Sequence, residues 1–344
     1  MSYRNIIRDN CQNHSGVHWW PKFAYHYTDV KNAVSILSSG MLYSRAYAEQ
    51  LGVMKNDNAS KQVIDMTQTE AISCARFYFR PLTPTQYYNE GFKHPQLRYD
   101  NDKNANTPVP IFLAFDLEKL LSLPEIQFSE QKQSGYGSKL CNTEEAFSKF
   151  NFDYIYSKDL RNIAETKSYR HAEILHPKSF MIDSCLHAIL CRNSVERTTL
   201  LNLLRKANSK AFYKYADKIK ICRENMFEEN GLYVQDCQYH NGTLSITFSD
   251  TYIRRNYTAN MKARNAINEL KPITVRLSMD WYNQKNIIYH TDVSTKIDYE
   301  ESKGVIFRSV PQYPKTKNLA VQIYFDDDLM GLMDFALSDS EIIK

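Results

Sequence analysis

Glu173 is a carboxylate placed inside an apolar run. Ala172 precedes it and Ile174-Leu175 follows it. Burying a carboxylate costs free energy unless the group is paired or lines a pocket. Such a group can bond the hydroxyls of a sugar whose C1 becomes an oxocarbenium ion, or take a proton from an attacking group. The alternative is a strand glutamate on a wet face, since alternation along a strand leaves one side in solvent.

A second group of candidate residues lies near the N-terminus and consists of His26, Thr28 and Asn32. A histidine here is a poor base for such a reaction but a good partner for ribose hydroxyls. The group leads into an expected helix, where backbone N–H groups can meet a ligand. Structural roles explain the three residues almost as well, as an edge histidine, a helix cap and a solvated helix face.

The third group surrounds the aromatic run 77–79. Arg76 stands directly before it, and an arginine beside a buried strand usually pairs with a carboxylate or a phosphate, here a candidate pyrophosphate. A structural salt bridge is the alternative. Tyr78 and Tyr87 could stack on nicotinamide or on a nucleic-acid base, or pack in the core. Taken in order, the three groups indicate an NAD-consuming transferase site, with Glu173 and Arg76 as the catalytic candidates.

Lysines recur every four residues at Lys206, Lys210 and Lys214, within a segment of helical pattern. On one helix they would form a cationic stripe suited to the phosphates of a nucleic acid. A solvated basic face is the alternative. The net charge of +4 and the pI of about 8.5 are mildly basic and do not by themselves imply a nucleic-acid partner.

The first half of the chain alternates short helices and strands that would position these groups. Residues 29–40 predict a helix with a capping residue at its start and Gly40 at its end. A polar stretch at 124–170 precedes the strand of Glu173, and long loops inside compact domains are usually functional or disordered. Buried strands are predicted at 77–79 and 110–115.

The apolar period becomes two after Gly231, as in strands with one buried face. Asn241-Gly242 joins two such segments and is a type I′ hairpin signal. The last third therefore predicts a mainly antiparallel β domain, a small sandwich. The predicted organisation, of α+β class, is a catalytic domain at 1–195, a helical basic connector at 196–230 and a β-rich accessory domain at 231–344.

Composition indicates whether the protein is expected in a membrane, outside the cell or in the cytoplasm. The chain has 344 residues and a mean hydropathy of −0.53, and no apolar run approaches the ~18 residues of a membrane span. Seven scattered cysteines without a CxxC pair fit a reducing cytosol, and the polar N-terminus carries no secretory core. We therefore expect a cytoplasmic protein that is not bound to a membrane.

Several common sites are not predicted. His14, His18 and His26 lie close in sequence but lack ligand-like spacing, so no metal site is expected. The sequence has no P-loop, GxGxxG, HExxH or GxSxG motif. This excludes the commonest nucleotide-hydrolase, dehydrogenase, zinc-protease and α/β-hydrolase interpretations.

In combination, these residues resemble the DarT family of bacterial nucleic-acid ADP-ribosyltransferase toxins. The resemblance covers residues 20–195. It is carried by His26-Tyr27-Thr28 with Asn32, by RFYFRPLTPTQYYNEG at 76–91 and by RHAEIL at 170–175. The FYF-x-P-x-[ST]-P run followed by the later AE-aliphatic strand is fairly specific in that order.

The resemblance implies an ADP-ribosyltransferase fold with two facing β-sheets around an NAD cleft. It implies that Glu173 is the catalytic glutamate and that NAD is held by His26, Thr28 and Asn32. It also implies a loop at 46–70 that covers NAD and a loop at 125–170 that recognises the substrate. The β-rich last third lies outside the resemblance, and we expect a regulatory or partner-binding role for it.

The chain departs from the thymine-modifying members of this family. Their catalytic arginine lies upstream of the FYF run, where this chain offers Lys61 or, next to the run, Arg76. The TPTQ pattern is more similar to the guanine-modifying branch. A guanine exocyclic amine needs less prior deprotonation than a thymine ring nitrogen. Guanine in single-stranded DNA is therefore the favoured acceptor.

The resemblance also implies a biological setting. Irreversible modification of a base would block replication, so a toxin or anti-phage role follows, with a cognate antitoxin as the expected partner. Target bases inside a duplex must first be unstacked, which favours single strands. Two alternatives stay open: the same fold acting on RNA or protein, and a non-catalytic module that binds nucleic acid or NAD.

Overall fold

The computed structural model describes residues 1–55, 72–102, 105–133, 139–158, 164–284 and 286–337. Nine strands lie among the described residues of the first two thirds of the chain. They are β1 (Phe23–Asp29), β2 (Met41–Tyr43), β3 (Cys74–Tyr78), β4 (Pro110–Asp116), β5 (Gln127–Ser129), β6 (Glu173–Pro177), β7 (Ser179–Met181), β8 (Leu186–Cys191) and β9 (Ile219–Ile221).

Seven of these strands form one sheet in the order β5-β6-β3-β1-β4-β8-β9, and β2 pairs with β7 in a separate two-stranded ladder. All neighbours in the large sheet are antiparallel except β8 and β9, which are parallel. Strand β4 is buried along almost its whole length, as its continuous apolar sequence predicts. The predicted α+β class is thus confirmed, with one large sheet and one small one in the described part of this region.

Helices cover and connect these strands. The helix predicted at 29–40 is α2, whose first turn is capped by the Asp29 side chain and which ends at Gly40 in the left-handed conformation (φ 71°). The described α-helices are α1 (Tyr3–Asn13), α2 (Val30–Ser39), α3 (Arg45–Gln50), α4 (Pro84–Asn89), α5 (Leu117–Leu121), α6 (Glu144–Ser148), α7 (Phe152–Ile155), α8 (Thr166–Tyr169), α9 (Ser194–Ala207), α10 (Ser209–Tyr215) and α11 (Thr251–Asn265).

The last third contains two antiparallel sheets whose inner faces share one hydrophobic cluster with α11. Asn241 and Gly242 join the first two strands with φ of 47° and 71°, so the hairpin predicted there is present. The sheet orders are β10-β11-β14 and β13-β12-β15-β16. The strands are β10 (Val234–His240), β11 (Thr243–Phe248), β12 (Ile273–Asn283), β13 (Asn286–Ile297), β14 (Gly304–Phe307), β15 (Asn318–Phe325) and β16 (Asp328–Ala336).

The predicted connector at 196–230 does not stand apart from its neighbours. Leu200 and Leu204 of α9 lie in the core of the first half, and β9 extends the seven-stranded sheet. Val195, at the start of α9, packs instead in the core of the β domain. The segment is therefore shared between the two halves of the chain.

Candidate active site

A cavity of about 300 Å³ opens between β1, β3 and α2. The strand register explains why distant segments meet there, since β1 pairs with β3 and β3 pairs with β6. Five of the predicted site residues line this cavity: His26, Thr28, Asn32, Arg76 and Tyr78. A second hollow of about 570 Å³ lies near α1 and includes none of the predicted residues.

His26 is fixed by a hydrogen bond to the neighbouring strand. Its Nδ1 lies 3.0 Å from the carbonyl oxygen of Arg76. Because a carbonyl can only accept, Nδ1 carries the proton and donates it. Burial lowers the pKa of His26, so the ring is neutral and its Nε2 is a hydrogen-bond acceptor. The ring is therefore prepared to receive a hydroxyl donor.

Arg76 and Glu173 form an ion pair at the base of the cavity. Nη2 and Nε of Arg76 donate to the same oxygen, Oε2 of Glu173, at 2.5 and 3.0 Å. The Glu173 side chain is 2% exposed and that of Arg76 is 26% exposed, and Arg76 belongs to the described cavity lining while Glu173 does not. The guanidinium thus lies between the carboxylate and the open space.

The protonation of the groups around this pair follows from their surroundings. Burial alone would lower the pKa of Arg76, but the Glu173 carboxylate outweighs it and the pKa is raised. Arg76 is therefore a permanent cation and cannot accept a proton. Burial also raises the pKa of Tyr78 to about 12, which keeps the phenol protonated. The pKa of His171 is lowered to about 3 by burial and then by Arg76 and other nearby cations.

The two loops that the resemblance implies lie only in part within the described residues. In the first, Asn32 of α2 accepts a hydrogen bond from the Lys55 backbone N–H at 2.9 Å, which ties this segment to the cavity wall. The rest of that loop, 56–70 with Lys61, lies outside the described residues, as do 134–138 and 159–163 of the second loop.

Tyr87 does not line the cavity, contrary to the prediction. Its ring packs edge-on against Tyr88 and Tyr257, with centroids 5.1 and 5.5 Å apart. Helix α4 turns this side chain towards the β domain, so it contributes to packing between the two halves. Arg80, which follows the same aromatic run, is 1% exposed, donates to backbone carbonyls and does not line the cavity.

The lysine stripe is not continuous. The chain breaks helical geometry at Asn208 (φ −154°, ψ 99°), so Lys206 lies in the last turn of α9 while Lys210 and Lys214 belong to α10. Lys214 is paired with Asp183. The prediction of one helix was wrong because Asn208 accepts from the Ala211 backbone and caps a new helix.

Arg45, at the first turn of α3, lines the cavity and was not predicted. Its Nε lies 3.3 Å from Oε1 of Glu49 on the same helix. The available signal was Ser44, which caps α3 and so begins a helix within an apparently irregular segment. Thr83, Thr85 and Asn89 around α4 also line the cavity.

The part of the chain that the structure describes contains no group of three or more metal-ligating side chains arranged to hold an ion. All seven cysteines are free thiols. Over the same described residues, no helix has the length and apolar character needed to cross a bilayer.

Comparison with known proteins identifies a family match. A family model described as "ssDNA thymidine ADP-ribosyltransferase, DarT" matches residues 25–224, more than half of the chain. No curated protein matches the sequence. The match contains all the cavity residues considered above.

Solved structures give weaker likenesses. DarT of Thermus sp. 2.9 in complex with carba-NAD+ shares 16% identity at a TM-score of 0.46, covering 60% of this chain and 98% of that chain. The same protein in complex with ADP-ribosylated ssDNA shares 15% at 0.49, covering 60% and 96%. Thermosipho africanus DarTG in complex with ADP-ribose shares 15% at 0.46, covering 63% and 53%.

Proposed function

Because the chain belongs to the DarT family of single-stranded-DNA thymidine ADP-ribosyltransferases, we propose that it transfers ADP-ribose from NAD to thymidine in single-stranded DNA. One observation carries the proposal. His26, Arg76 and Glu173 come from three distant segments, and adjoining strands bring them together beside one cavity inside the matched region.

NAD binds in this cavity through its nicotinamide-ribose half. Nε2 of His26 accepts a hydrogen bond from a ribose hydroxyl, since Nδ1 is already committed to a carbonyl. Thr28 and Asn32 add polar groups at the start of α2, and Tyr78 offers a ring for stacking on nicotinamide. Arg45 supplies a cationic fork suited to the pyrophosphate.

Glu173 is the catalytic carboxylate in this proposal. The bond between C1′ of the ribose and the nicotinamide nitrogen breaks, and positive charge develops on the sugar. A nearby anion stabilises that charge. Arg76 acts as a positioning residue because two of its nitrogens hold Oε2 of Glu173. A ribose hydroxyl reaches Glu173 by competing with the Arg76 donors.

The acceptor base then attacks C1′ and loses a proton. A thymine ring nitrogen is the acceptor that we propose, in line with the family description. That description lends no support to guanine, which the TPTQ pattern favoured. Arg76 cannot take the proton while it is paired with Glu173, so Glu173 is the described group best placed to receive it.

We also propose a biological setting for this activity. A modified base blocks replication, so the protein acts as a toxin or in defence against phage, in the cytoplasm and under the control of a cognate antitoxin. Lys206 and Lys210 are exposed on α9 and α10 and add charge for the DNA backbone beyond the cavity.

Mass spectrometry of modified oligonucleotides tests the proposal. Three single strands are incubated with NAD and protein: DNA with thymine but no guanine, DNA with guanine but no thymine, and RNA. An ADP-ribose adduct confined to the thymine-containing DNA is expected. An adduct on guanine or on RNA would show that thymine in DNA is not the acceptor. NAD consumption without an oligonucleotide adduct would indicate a protein acceptor. If the protein forms no adduct and consumes no NAD, the proposal is overturned.

A further inference from the structure

The β domain presents an open edge that carries exposed apolar side chains. The four-stranded sheet ends at β13, which spans 12 residues and pairs with β12 on one side. Near its start, Ile287, Ile288 and Tyr289 are 61%, 39% and 39% exposed. Among the described residues, no further strand pairs with the outer side of β13.

Such an edge is a template for strand pairing, because its outward N–H and C=O groups have no ladder partner among the described strands. Proteins usually protect long edges by shortening them, by adding charge or by covering them. This edge is long and apolar at one end. Its charged and titratable side chains are of both signs, with His290 and Asp292 in the middle and Lys296 near the C-terminal end. Charges of both signs on an edge favour a partner strand whose charges are arranged in the opposite order.

We propose that β13 pairs in antiparallel fashion with β13 of a second copy of this chain, about a two-fold axis at Thr291. The axis stands perpendicular to the sheet. The two four-stranded sheets then join into one continuous eight-stranded sheet across the dimer.

The register follows from symmetry and charge. A two-fold axis perpendicular to the sheet leaves each side chain on the same face of the sheet. Residues directly opposite each other must share a face, so the axis passes between two copies of the same residue. Only centres at Thr291 and Asp292 pair nearly all of 286–297. A centre at Asp292 places two carboxylates opposite each other, which is destabilising. A centre at Thr291 places His290 opposite Asp292 of the other copy, twice.

The neighbouring side chains agree with this register. His290 already lies between two carboxylates, with Nδ1 2.6 Å from Asp280 and Nε2 3.2 Å from Asp292. The side chain of Arg276 is 3.5 Å from Asp292, so the patch holds two cationic and two anionic groups once His290 is protonated. These contacts lie within one chain, and they hold groups of both signs at the edge where the second copy would pair.

The other face of the strand also finds partners. Tyr289 falls opposite Val293 of the second copy, and aromatic with β-branched pairs stabilise antiparallel sheets. The Tyr289 ring is already held flat against Tyr313, with centroids 3.9 Å apart and an interplanar angle of 12°. Its side chain is thus ordered before association, which lowers the entropic cost of pairing.

Cysteine cross-linking tests the register. In Thr291→Cys, the new thiols lie opposite each other with Cα atoms about 5 Å apart, within disulfide range. In Val293→Cys, they lie about 13 Å apart along the strands and cannot join. Mild oxidation is expected to yield a covalent dimer for Thr291→Cys only, with the parent protein as the control for native thiols.

Charge exchange tests the complementarity by sedimentation velocity over a concentration series. Asp292→Lys is expected to weaken the dimer by about tenfold or more, because a cation at position 292 would oppose His290 of the other copy. Asp327→Lys, an equal charge change on the exposed β15–β16 turn, serves as the control.

Three results would overturn the proposal. The first is a monomer at all concentrations together with no cross-link at position 291. The second is a dimer that Asp292→Lys leaves unchanged, which would place the interface elsewhere. The third is equal cross-linking at 291 and 293, which would indicate non-specific collision.

Discussion

At the residue scale, the proposed site depends on which nitrogen of His26 carries the proton. Nδ1 donates to the Arg76 carbonyl, so Nε2 is the only ring atom left for a ribose hydroxyl. The strand register fixes this choice, because β1 and β3 are direct neighbours. His26, which is a poor base, thereby presents one defined hydrogen-bond acceptor atom.

Removing that acceptor gives the first prediction. His26→Ala loses one hydrogen bond to NAD and leaves the Arg76 carbonyl without its donor, so KM for NAD is expected to rise about tenfold. The effect on kcat is expected to be smaller. Steady-state kinetics with His240→Ala, an exposed hairpin histidine, as control checks this. An unchanged KM would remove His26 from the proposed NAD site.

At the residue scale, the sequence could indicate residues that line the cavity where the signal is local. Thr28 and Arg76 could be predicted because each adjoins a readable strand or helix start. Tyr87 could not, because its direction depends on packing against Tyr257 from α11, far along the chain. Arg45 was missed because the capping signal at Ser44 is short and lies in a polar segment.

At the element scale, α2 supports one wall of the cavity from Asn32 to Ser39. Both ends of the helix are recognisable in the sequence, because Asp29 caps its start and Gly40 ends it. The break between α9 and α10 was not predicted, because periodic lysines fit one long helix as well as two short ones. Only the Asn208 cap distinguishes them.

Gly40→Ala provides the second prediction. Gly40 has φ of +71°, and the nearest atom to an added Cβ is the Tyr215 hydroxyl at 3.8 Å, so backbone strain is the main expected effect. The free energy of unfolding is expected to fall by about 1 kcal/mol. Gly16→Ala, with no positive φ and no atom within 4 Å, is the matched control for denaturant unfolding. Equal effects at both positions would contradict this account of the helix end.

At the scale of the whole molecule, buried charges join the two halves. Glu90 is fully buried and accepts from the backbone N–H groups of Glu228 and Glu229 at 2.9 Å, while Arg192 lies 3.2 Å away. An added Cβ at Gly231 would lie 2.4 Å from the Glu90 carbonyl oxygen. The β domain thus adjoins α4, whose other side lines the cavity.

Lys93 makes this junction sensitive to pH. Its Nζ is 2.5 Å from Oδ1 of Asn230 and 3.7 Å from the centre of the Tyr257 ring. Burial lowers the pKa to about 7, against the opposing influence of Glu90 and Glu228, with Arg192 acting in the same direction as burial. Between this value and the ordinary lysine pKa of about 10.4, the unfolded chain binds more protons than the folded one. The contribution of Lys93 to stability therefore rises with pH in this window.

The third prediction follows from that sign. Between pH 7 and 8.5, wild type is expected to gain stability relative to Lys93→Met, by at most about 1.4 kcal/mol per pH unit. Urea unfolding of both proteins at each pH measures the difference, with the exposed Lys210→Met as control. A difference that stays constant or shrinks as pH rises would contradict a depressed pKa for Lys93.

The sequence predicted both halves but not their junction. Strand alternation and the Asn241-Gly242 turn are local signals, whereas the Glu90, Lys93 and Arg192 contacts join segments from three parts of the chain. Within the predicted connector at 196–230, the sequence carries no signal for β9, a short strand whose few residues have no distinct period. Pairing partners of such strands are set by tertiary structure.

The most direct test of the central claim is the rate of ADP-ribose transfer to a thymine-containing DNA strand by Glu173→Gln. The change keeps the shape of the side chain and removes the charge that stabilises the sugar cation. Transfer is expected to fall by about 100-fold or more while NAD still binds. Glu118→Gln, which removes the carboxylate of an exposed pair with Arg4, should retain full activity. A folded Glu173→Gln protein that transfers at the wild-type rate would contradict the proposed site.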